Sequence, residues 1–73
     1  MAKRYFTLLE YDNDRNAWYP QFGDYICNVV KQEMIDMAHS NMRPRRYYRI
    51  ISSGSSGKSV MAAVEAFNIN WKA

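Results

Sequence analysis

A chain of 73 residues makes one thin-cored domain, and with 48% apolar and 15% aromatic residues it can fold without a metal or disulfide framework. Its formal charge of +3, ten Lys and Arg against seven Asp and Glu, permits an anionic partner without demanding one. The single cysteine, Cys27, excludes an intrachain disulfide and any zinc site of two or more thiolates. No apolar run reaches membrane-spanning length, and Met1 to Phe6 lacks the apolar stretch of a signal peptide. The expectation is one domain over residues 1–73, cytoplasmic, with no membrane contact.

Lys3 to Tyr11 reads as a strand, Phe6 and Leu8 pointing one way and Tyr5, Thr7 and Leu9 the other. Asp12-Asn13-Asp14-Arg15-Asn16 tolerates left-handed backbone and fits a hairpin loop into a second strand over Ala17 to Phe22. Pro20 cannot donate to a ladder, so this strand lies at an edge or ends early. Alternation puts Trp18, Pro20 and Phe22 on one side, Tyr19 and Gln21 on the other. Gly23-Asp24 signals a helix start through the Asp carboxylate. The helix should run from Tyr25 to about Asn41, with Cys27, Val30, Met34, Met37 and Ala38 recurring at spacings of three and four. Arg43-Pro44 stops it. Arg45 to Ser52 reads as a third strand, Arg46, Tyr48 and Ile50 on one face and Arg45, Tyr47, Arg49 and Ile51 on the other. The low-complexity Ser52-Ser53-Gly54-Ser55-Ser56-Gly57 reverses the chain into a second helix over Lys58 to Asn68, striped by Val60, Met61, Val64 and Phe67.

The order β-β-α-β-α fits a hairpin followed by a helical crossover. If the third strand lands beside the first, the result is a two-layer α+β fold. It has a three-stranded antiparallel sheet in the order 2-1-3 and both helices on one face.

Three patterns suggest chemistry. Gly54-Ser55-Ser56-Gly57-Lys58-Ser59 sits where a phosphate-binding loop belongs, but a Walker loop needs a glycine at the position held by Ser52. Serines capping the last helix are the favoured reading, and a looser anion site over Ser52 to Ser59, using amides and Lys58, stays open. Arg43, Arg45, Arg46 and Arg49 interleave with Tyr47 and Tyr48, and guanidinium groups with aromatic faces suit unpaired nucleic acid. An uncovered sheet face would carry Tyr5, Tyr47 and Arg49. The competing reading, which weighs more, is that edge arginines keep a sheet soluble. Glu10, Asp12 and Asp14 are oxygen-rich but lack the glycine turn and bidentate Glu of a calcium loop. His39 is the only histidine and falls on the wet side of its helix, while Cys27 falls on the apolar face, where inert packing is the default. No catalytic residue, metal or cofactor is predicted.

Trp18-Tyr19-Pro20-Gln21-Phe22-Gly23-Asp24-Tyr25 is the densest aromatic stretch, and with Trp71 it offers the kind of area that interfaces use as anchors. Together with the opening Tyr-Phe strand and the Val-Val helix behind it, this segment resembles small uncharacterised proteins of tailed phages and prophages, best over the first half of the chain. The Ser-Gly loop and Arg-Pro-Arg-Arg lie outside that pattern. The resemblance transfers no catalytic residue; it implies a viral accessory protein with a binding role against a host or viral protein. The expected function is a non-enzymatic protein-binding module, with a homodimer admissible, and single-stranded nucleic-acid binding is the alternative. The expected contact residues are Tyr5, Trp18, Tyr19, Arg45, Arg46, Tyr47 and Arg49.

Overall fold

The computed structural model describes residues 3–72. Strands β1 (Tyr5–Asp12) and β2 (Ala17–Asp24) form the hairpin, followed by helix α1 (Cys27–Ser40), strand β3 (Tyr48–Ser53) and helix α2 (Gly57–Lys72). In the hairpin loop Asp12 Oδ1 accepts from the amides of Asp14 at 2.9 Å and Arg15 at 3.2 Å. Asn16 there takes a φ of 55°, a left-handed geometry that asparagine tolerates. β3 pairs antiparallel with the other side of β1, so the sheet order is β2-β1-β3, in agreement with the expectation.

The two helices lie on opposite faces of this sheet, making three layers where two were expected. Leu8 packs with Val30 and Ala38 of α1, whereas its neighbour Leu9 packs with Trp18 and with Val64 of α2. The reason lies in β1. As the central strand it carries large apolar groups on both sides, Phe6 and Leu8 on one and Leu9 and Tyr11 on the other, and each set needs its own cover. The uncovered face expected to display Tyr5, Tyr47 and Arg49 is therefore occupied by α2.

Four local departures matter for the site. In the β1–β2 ladder Phe22 pairs with Leu8 and Pro20 with Leu9, which leaves Gln21 as an extra residue in a bulge. The bulge reverses the alternation, so Phe22 turns to α1 and Trp18 to α2 instead of sharing a side. Next, Arg45–Tyr47 form a 3-10 turn, and β3 starts at Tyr48, where pairing with Glu10 begins. Asp24 closes a turn ahead of α1, its Oδ1 accepting from the Ile26 amide at 2.8 Å, and the helix starts at Cys27 with Ile26 as an N-cap that makes no side-chain bond. Finally, α2 continues past Asn68 to Lys72. Asn68 stays helical because its amide group is engaged elsewhere: Nδ2 donates to the carbonyls of Val64 at 3.2 Å and Trp18 at 3.0 Å, and Oδ1 accepts from the Trp18 amide at 2.7 Å.

Candidate functional site

The arginine-aromatic residues gather at one end of the sheet, Trp18 in the α2 core and Tyr47 reaching the α1 core as well. Trp18, 3% exposed, is the hub. Tyr11 lies 5.3 Å from its ring, Phe67 5.6 Å and Trp71 5.9 Å. Arg49 sits 5.5 Å over the same indole, and its Nη1 donates to the carbonyls of Arg46 at 3.2 Å and Tyr48 at 3.0 Å. Tyr47 stacks on Tyr11 at 6.2 Å and holds Arg43 at 4.4 Å and Arg46 at 5.2 Å against its own ring. Trp18, Arg46, Tyr47 and Arg49 are thus brought together, but largely in contact with one another. Arg45 is exposed on the 3-10 turn. Tyr19 departs from the group: it carries Arg15 at 5.2 Å from its ring, beside the hairpin loop.

On the α1 side of the same end, Glu10 ties three elements together. It accepts from Arg43 at 3.0 Å and from the Tyr48 hydroxyl at 2.9 Å, while Asn41 donates to that hydroxyl at 3.2 Å. Burial pushes the Tyr48 hydroxyl above its ordinary range, and the nearby Glu10 carboxylate adds to the shift.

Tyr5 lies at the opposite end of β1 and belongs to a different feature. Between the start of α2 and the sheet is a cleft of about 590 Å³, walled by Tyr5, Pro20, Tyr25, Val60 and Met61, with Thr7, Phe22 and Gly57 also lining it. The Tyr5 ring lies across Gly23, where an added Cβ would fall 2.6 Å from its Cε2, and it meets Tyr25 edge-on at 5.1 Å. A side chain at Gly23 would displace that ring, so the bare strand position is what lets the aromatic cover it. Thr7 pairs with Gly23 in register, is 3% exposed, and its Oγ1 has no hydrogen-bond partner. Ser56 caps α2 through Oγ, which accepts from the Ser59 amide at 3.1 Å, as the serine-capping reading expected. Exposed Tyr25, Ile26 and Met61 rim the cleft and the adjoining depression.

Sequence reasoning singled out Tyr5, for a different surface, and the Trp18–Tyr25 segment, and did not bring Thr7, Gly57 and Met61 beside them. Their meeting depends on α2 crossing the second sheet face, which no local pattern signals. Among the described residues, no three His, Cys, Asp or Glu side chains are placed to hold a metal, and no helix is long and apolar enough to cross a membrane. Comparison with protein-family models, curated proteins and solved structures finds no match.

Proposed function

We propose that this protein is a non-enzymatic protein-binding module, a phage-type accessory protein acting in the cytoplasm on a host or viral protein. Its contact surface is the cleft beside the Trp18–Tyr25 segment. The carrying observation is exposed Tyr25 and Met61 at a concave, largely apolar cleft, with exposed Ile26 in the adjoining depression, the composition of an anchor pocket in a protein interface. The resemblance of Trp18–Tyr25 to small uncharacterised proteins of tailed phages and prophages, which implies a viral accessory role, is in keeping with the same reading.

The arginine cluster supports nucleic-acid binding less well. Bases stack on free aromatic faces, whereas Tyr47 already holds Arg43 and Arg46 and Trp18 already holds Arg49. Capture from bacterial lysate on the parent protein, beside Gly57→Trp to fill the cleft and the triple change Arg45→Ala, Arg46→Ala, Arg49→Ala, separates the two. A protein partner lost with Gly57→Trp and kept by the triple variant is the expected result. Salt-sensitive binding of single-stranded RNA or DNA that disappears in the triple variant instead establishes the nucleic-acid reading. Light scattering of the purified protein determines whether the partner is a second copy.

A further inference from the structure

The cleft holds two features that neither packing nor capping uses. The first is the start of α2, a helix of 16 residues. Ser56 satisfies the Ser59 amide, but the amides of Gly57 and Lys58, in the first turn, have no intrahelical acceptor, and the positive end of the helix favours an anion there. An added Cβ on Gly57 would meet no atom within 4 Å, so this end is open to an incoming group.

The second is Thr7. It sits on the central strand, nine-tenths buried and more, on the sheet face that α2 covers, and its Oγ1 is unpartnered. A buried hydroxyl without a partner costs stability, and valine would fill the same volume without that cost. A ligand oxygen would remove the deficit. The Tyr5 ring lies across Gly23, the strand partner of Thr7, and meets the half-exposed Tyr25 edge-on.

Resting on the protein-binding reading above, we propose that the cleft takes the free C-terminal carboxylate of the partner chain, whose last residue carries a large apolar side chain. The carboxylate lies at the Gly57 and Lys58 amides and accepts from the Thr7 hydroxyl as the Tyr5 ring swings off Gly23. The final side chain fills the apolar wall at Val60. An internal Asp or Glu places no large apolar group on the same residue, and a free phosphate leaves the apolar wall bare. A chain terminus supplies both within one residue.

The test uses N-acetylated octapeptides ending in Phe, Leu or Trp, each as free acid and as amide, titrated into 15N-labelled protein. The free acids should shift the Gly57 and Lys58 amide resonances and bind about tenfold more tightly than the amides, the scale of a charge-assisted hydrogen bond. Thr7→Val should weaken the acids by about fivefold while melting at or above the parent temperature, and Thr7→Ser should retain binding. Equal affinity of acid and amide, parent-like binding by Thr7→Val, or no shift at Gly57 and Lys58 with any acid overturns the carboxylate site. If both forms shift Tyr25 and Met61 equally, or the captured partner still depends on an open cleft, the protein-binding reading survives that failure. Loss of cleft-dependent capture overturns both.

Discussion

Tyr48 is 2% exposed, and its hydroxyl stands between Glu10 and Asn41. Burial first, then the Glu10 carboxylate, raises its pKa above the ordinary 10.0. The sign of the pH dependence follows from which form the fold prefers. The neutral phenol is favoured in the folded state, so its contribution is complete below pH 10.0 and is lost as the pH rises through the raised folded value. Tyr48→Phe should flatten this alkaline limb of the melting temperature. It should also cost about 1–3 kcal/mol at neutral pH, because Glu10 loses a donor inside the network. Thermal melts of both proteins from neutral to strongly alkaline pH check it. Met42 makes the converse case. It is 91% exposed with a φ of 53°, so it contributes no packing while carrying left-handed strain at the end of α1. Met42→Gly should stabilise by about 0.5–1 kcal/mol in denaturant titration. Tyr48 was legible as an inward residue from alternation alone. Its tie to Glu10 was not, since 38 positions separate them in the chain.

At the scale of elements, β2 is an edge strand protected in two ways. Pro20 and the Gln21 bulge break the regular ladder, and Asn68 of α2 occupies both backbone groups of Trp18 as a neighbouring strand would. Asn68→Ala should therefore cost about 1–3 kcal/mol and speed hydrogen exchange at the Trp18 amide while leaving that of Leu8 at the global rate. Equal acceleration at both amides would mean that Asn68 acts only through overall stability. The same residue explains a misread boundary. A polar residue near the end of an apolar stripe signals a helix end, and that signal fails when the side chain has a partner 50 positions away. The bulge is similar: Trp18-Tyr19-Pro20-Gln21-Phe22 reads as plain alternation, and only the pairing with Leu8 and Leu9 reveals the extra residue.

For the whole molecule, strand order and direction were legible because a short hairpin and one crossover leave few topologies. The side taken by α2 was not, although β1 itself carried the clue in large apolar residues on both faces. That arrangement gives the protein two thin cores divided by one strand, Leu8 at the centre of the α1 core and Leu9 at the centre of the α2 core. Leu8→Ala and Leu9→Ala should each cost about 2–5 kcal/mol through lost burial and the cavity left behind. The layers can respond in two ways. If each were independent, Leu8→Ala would melt α1 and leave the Trp18 environment intact, because Trp18 packs only in the α2 core. But β1 is the sole strand joining β2 to β3, and a loosened α1 face removes support from the pairing on which α2 rests. Indole fluorescence of Leu8→Ala should therefore fall together with far-ultraviolet circular dichroism in one transition, at lower denaturant than the parent. A Trp signal that outlasts the helical signal would show that the α2 layer folds without its partner.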